Sequence, residues 1–131
     1  MFSVVDRSTY LKGLLVLAKK DNKLVETEKN IIRDIASRFG FSRDFYEETM
    51  RGLMANKYIG DDPVVFSDSA IARMFLQDGL KLAFADDDFD TKELDWLRKT
   101  AEANKIEKDL FESFLEEFKA ERIRQGKKIS A

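Results

Sequence analysis

The chain has 131 residues, 44% of them apolar and 37% charged, with 23 basic against 25 acidic side chains for a formal net charge of −2. That length and composition suit one globular domain with a single core, and the near balance of charge selects neither nucleic acid nor an anionic membrane as a partner. Cys and His are both absent, which excludes a disulfide framework, a thiolate nucleophile, a Cys-ligated zinc site and the commonest general base, so the reading is of a protein that is not an enzyme.

The opening MFSVVDRSTY lacks the basic start and long apolar core of a secretory signal, and no run approaches the ~20 apolar residues of a membrane span. The expectation is a cytoplasmic chain without membrane insertion. Ser8 or Thr9 can cap a first helix running to about Lys20. Its apolar residues, Tyr10, Leu11, Leu14, Leu15, Val16, Leu17 and Ala18, spread around most of a wheel drawn at ~100° per residue, so this helix wants burial on several sides. Asp21, Asn22 and Lys23 form a turn. A second helix starts near Val25, carries Glu28 in its first turn, sets Ile31, Ile32, Ile35 and Phe39 on one face, and stops at Gly40.

Ser42 caps a third helix with Phe45, Tyr46, Met50, Leu53 and Met54, ending about Asn56. The single Pro, Pro63, sits in GDDP, which reads as a linker. Residues 64–66 have a composition that allows an extended run, but three residues make no sheet. Ser67 or Asp68 caps a fourth helix, apolar nearly all round through Ile71, Met74, Phe75, Leu76, Leu80, Leu82, Ala83 and Phe84. Asp90 and Glu93 have capping-box spacing for a fifth helix with Leu94, Leu97 and Ala101, ending about Asn104. A sixth begins near Glu107 and places Leu110, Phe111, Phe114, Leu115 and Phe118 on one face. Lys119, Arg122, Arg124, Lys127 and Lys128 follow as a basic, fraying tail.

An internal repeat organises these elements. Leu17, Ala18, Asp21, Glu28, Arg33, Ala36, Asp44 and Glu47 recur as Leu82, Ala83, Asp86, Glu93, Arg98, Ala101, Asp109 and Glu112, always at an interval of 65. The predicted fold is therefore all-α: one domain over residues 1–131, made of two three-helix repeats, 8–60 and 67–118, related by a pseudo-twofold axis, with a tail over 119–131. The first and fourth helices, both needing burial, pack together at the centre. Neither repeat alone covers its apolar helix, so the halves form one unit.

An apolar helix ending in Ala-x-x-Asp, followed by a hydrophobic residue and a Glu, reads here as LAKKDNKLVETE and LAFADDDFDTKE. This pattern resembles the TerB-like tellurite-resistance domain from about Tyr10 to Phe118. It departs where the family often has Gly after the Asp, since Asn22 and Asp87 stand there. The resemblance implies an all-helical fold with internal symmetry, a part in stress-response or membrane-associated assemblies rather than a defined reaction, and metal binding at the matching Asp21, Glu28, Asp86 and Glu93.

Asp86, Asp88 and Asp90 alternate as in an EF-hand, but the required sixth and twelfth places hold Thr91 and Leu97, which excludes that loop. A looser carboxylate site for Mg²⁺ or Ca²⁺ stays open, because anions at a helix C-terminus need a compensating cation. So does a structural role, in which Glu28 and Glu93 cap their helices and Asp21 and Asp86 tie the turns. Arg33 and Arg98 pair with acidic-turn carboxylates or bind an anion. Trp96 packs on a neighbouring helix or contacts a partner. The function read from all this is a non-catalytic interaction module with a protein partner, with homodimerisation open. A divalent-cation sensor is the alternative, and a carboxylate-based hydrolase comes third.

Overall fold

In the computed structural model, which describes residues 3–21, 26–55, 60, 62–85 and 91–126, the first helix opens at Ser3. The Ser3 hydroxyl oxygen accepts from the Asp6 N–H at 3.0 Å, so α1 spans Val4–Ala18 and begins several residues ahead of the Ser8 or Thr9 predicted to cap it. Ser3 outcompetes them because Asp6, three residues on, places a carboxylate in the first turn and accepts the Ser3 hydroxyl in return. A 3-10 turn, Lys19–Asp21, closes α1. Then come α2 (Glu26–Arg38), α3 (Arg43–Ala55), α4 (Ser69–Ala83), α5 (Thr91–Ala103) and α6 (Lys108–Arg124), and no strand among the described residues.

The helix ends follow local chemistry. Ser42 accepts from the Phe45 N–H at 3.1 Å and Asp68 from the Ala70 N–H at 2.6 Å, so each caps the helix predicted for it. Past α2, Gly40 takes φ +83° while its N–H bonds the Ser37 carbonyl and the Phe41 N–H bonds the Ala36 carbonyl. This is a Schellman closure, which needs a left-handed residue at that place. After α5 the same pair of bonds runs from Lys105 to Glu102 and from Ile106 to Ala101, with Lys105 at φ 59°.

The core sits around α1 and α4, which pack on each other and each touch α2 and α5, while α3 covers α1 and α6 covers α4. In α1 every residue from 13 to 18 is buried, as an all-round apolar helix requires. α4 differs from expectation: Arg73, Met74, Gln77 and Lys81 form an exposed stripe, and Met74 is 42% exposed, so this helix is amphipathic. Its buried side includes Gly79, where an added Cβ would stand 2.6 Å from Leu97 Cδ2, so glycine permits the close α4–α5 approach. Tyr10 and Phe75, both at 0% exposure, centre an aromatic cluster with Phe39, Phe66 and Trp96. Trp96 is 3% exposed with its ring edge-on to Phe75, which makes it a packing residue and removes the partner-contact reading.

The residues just ahead of α4 are stitched to the bundle. Asn104 Oδ1 accepts from the Phe66 N–H at 2.8 Å and its Nδ2 donates to the Val64 carbonyl at 2.8 Å, so one amide side chain serves two backbone groups of this segment. Asp6 accepts from the Ser67 N–H at 3.1 Å and from the Ser67 hydroxyl. Residues 119–124, predicted as tail, continue α6, because Arg122 is 7% exposed, donates to the Phe84 carbonyl at 2.8 Å, and lays its guanidinium 5.4 Å from the Phe84 ring centre. Among the described residues no helix is long and apolar enough to cross a membrane.

Candidate functional site

Glu28 and Glu93, each in the first turn of its helix, are both 2% exposed. Burial of a carboxylate is costly unless it is engaged, and both are engaged. Of their predicted companions, Asp86 lies outside the described residues, as do Asp87, Asp88 and Asp90, while Asp21 contributes its backbone to the 3-10 turn and its side chain lies outside them. Among the described residues no group of three or more His, Cys, Asp or Glu side chains gathers to hold a metal ion. The buried Arg122 guanidinium at the C-terminus of α4 supplies positive charge where the helix dipole favours it.

Open grooves lie elsewhere on the bundle, and two of them sit at helix corners. The first, about 320 Å³, runs along the α2–α3 corner over Arg33, Ala36, Ser37, Phe41, Arg43 and Tyr46. The Schellman closure at Gly40 turns the chain so that Phe41 faces Ala36, and Tyr46, 4% exposed, forms the floor. The Tyr46 hydroxyl lies 3.2 Å from the Lys29 carbonyl, and burial pushes its pKa up. Arg43 Nε donates to Glu47 Oε1 at 3.0 Å, an exposed i,i+4 pair that raises the guanidinium pKa further. Arg33 is exposed and hydrogen-bonds the Asn30 side-chain oxygen. Phe41 and Phe45 stack with centroids 5.1 Å apart.

The second groove, about 520 Å³, lies at the α5–α6 corner over Ala101, Ile106 and Phe111, walled by Arg98, Lys105 and Lys108 and by Glu102, Glu107 and Glu112. Arg98 Nε meets Glu112 Oε1 at 2.9 Å and its other arm lies 3.7 Å from Asp95. Arg98 therefore does find carboxylates, but on α6 and on its own helix. Of the predicted residues, Arg33 and Arg98 line grooves, whereas Glu28 and Glu93 line neither. Asp6, Asn104 and Arg122 escaped prediction as organising residues. Only Asp6 carried a readable signal, through its spacing from Ser3.

Compared with known proteins, the chain matches no family model, no curated protein and no solved structure.

Proposed function

We propose that the chain is a TerB-like, non-catalytic helical interaction module that binds a protein partner through its corner grooves. The observation that carries this reading is the grooves' composition. Arg33, Ala36, Ser37, Phe41, Arg43 and Tyr46 of the first each have a counterpart 65 residues on, and all of those, Arg98, Ala101, Glu102, Ile106, Lys108 and Phe111, line the second. An apolar floor with charged walls, occurring twice, suits a peptide-like ligand. The helices support the duplicated build: Val4 and Ser69, Glu26 and Thr91, and Arg43 and Lys108, the starts of corresponding helices, stand 65 apart. Two three-helix units about a pseudo-twofold axis are the architecture this favours. The TerB resemblance at LAKKDNKLVETE and LAFADDDFDTKE adds a place in stress-response or membrane-associated assemblies.

Ser37→Trp and Glu102→Trp cover the two grooves from exposed positions. The full chain should capture proteins from the lysate of its own cell that the double variant does not, at an unchanged melting temperature. An identical captured set would overturn the reading. A second reading, a divalent-cation domain using Asp21 and Glu28 with Asp86 and Glu93, is favoured by the burial of both glutamates. Calorimetry with Mg²⁺ and Ca²⁺ against NaCl at equal ionic strength tests it. Heat that vanishes in Glu93→Gln supports it, and no heat removes it.

A further inference from the structure

We propose that the first groove, at the α2–α3 corner, takes an acidic peptide segment, pairing a carboxylate with Arg33 and laying an apolar side chain along Phe41 and Tyr46. The proposal rests on the interaction-module reading and adds the chemistry of the partner. It comes from the charge difference between the grooves. The second is balanced, with three cations facing three carboxylates in its lining, and Arg98 is answered by Glu112 and Asp95. The first is lined by two arginines and no acid.

Particular exchanges at the interval of 65 produce this difference. Asn30 stands where the second unit has Asp95, so the side chain that hydrogen-bonds Arg33 brings no charge. Ser37 stands in place of Glu102 and Ser42 in place of Glu107. Glu47, the counterpart of Glu112, is held by Arg43 at 3.0 Å, and Arg33 has no carboxylate within ion-pair distance among the described residues. A guanidinium so placed is ready for a bidentate carboxylate, which its planar fork fits.

The apolar half of the site has changed too. Where the second unit has Ile106 and Leu110, the first has Phe41 and Phe45, stacked with an interplanar angle of 21° and with Phe45 45% exposed. An aromatic pair beside the uncompensated Arg33 suits an acidic chain bearing a phenylalanine or leucine better than it suits an inorganic anion, which gains nothing from rings. A nucleic acid is disfavoured, because two cations neutralise few phosphates on a chain of net negative charge. At about 320 Å³ the groove holds one or two side chains, so the segment binds extended or as a single turn.

The test uses the full ¹⁵N-labelled chain and a capped hexapeptide, DDEFDE, with its charge-reversed counterpart KKRFKR and a single-stranded oligonucleotide as controls. The acidic peptide should give saturable shifts at the Ala36, Phe41 and Tyr46 amides but not at Ala101, Ile106 or Phe111. Affinity should fall roughly tenfold in Arg33→Gln, change less than about twofold in Arg98→Gln, and weaken with added NaCl. Both arginines are partly or fully exposed, so neither variant threatens the fold. Shifts centred on the second groove, equal affinity in Arg33→Gln, tighter binding of the basic peptide or the oligonucleotide, or no saturation by millimolar peptide would each overturn the proposal. If the peptide fails while the groove-covering tryptophans still abolish capture, the acidic chemistry falls and the interaction module stands.

Discussion

Lys105 holds φ 59° at the end of α5, in the place that Gly40 occupies after α2. A side chain in the left-handed region costs about 1 to 2 kcal/mol from the contact of Cβ with the carbonyl oxygen. Lys105→Gly relieves that cost but adds about 0.4 to 1 kcal/mol of unfolded-chain entropy. Lys105 is exposed and the Schellman bonds to Glu102 and Ala101 are backbone only, so nothing else is lost. The net expectation is stabilisation by about 0.5 to 1 kcal/mol, a rise in melting temperature of roughly 2 to 5 °C for a chain of this size. Gly40→Ala should move the other way by a similar amount. Urea unfolding with a shared slope measures both. A Lys105→Gly variant less stable than the parent would refute the left-handed assignment, and with it the argument that a backbone closure rather than a side-chain contact shapes this corner.

Leu82, 1% exposed on α4, should cost about 2 to 5 kcal/mol on truncation to Ala, and a loss below ~0.5 kcal/mol by chemical denaturation would place it at the surface. Asn104→Ala leaves the Phe66 N–H and the Val64 carbonyl without their shared partner, and should cost on the order of 2 to 3 kcal/mol by the same assay; a neutral result would mean the connection is not held there. Asp6 is held below the ordinary carboxylate value, first by the Ser67 hydroxyl and next by the Ser67 N–H. A lowered folded-state pKa gives stability that is complete above the unfolded value of 3.8 and is lost as pH falls through the lower folded value. The parent should therefore lose more stability than Asp6→Asn between about pH 5 and pH 2, and parallel pH profiles would show that the carboxylate does not anchor Ser67.

What was legible in the sequence was mostly local. Ser42, Asp68 and Gly40 announce their helix ends because capping chemistry acts within four residues. Ser8 and Thr9 misled because they sit beside the apolar run, while the cap at work, Ser3, stands a turn earlier and depends on Asp6. The wheel for α4 counted Met74 as core, since hydrophobicity alone does not say which side of a helix meets solvent. The apolar spacing of α6 stops at Phe118, yet Arg122 is buried by its stem and by an acceptor at the C-cap of α4, a contact 38 residues away. Glu28 and Glu93 were singled out by repetition, but their depth could not be read from a residue type that usually caps at the surface. The grooves were half visible: Arg33 and Arg98 stood out as a repeated pair, whereas the loss of charge at Asn30 and Ser37 matters only once folding sets those positions around one opening.

The stitches made by Asn104 and Asp6 bear on how the molecule would answer a probe of local opening. A stretch without helix or ladder ordinarily exchanges its amide hydrogens fast and offers itself to proteases. Here the N–H groups of Phe66 and Ser67 are tied to Asn104, just past α5, and to Asp6 of α1. Both amides should therefore exchange more slowly than those of an untied connection. Limited proteolysis that spares the peptide bonds around Phe66 would give the same answer.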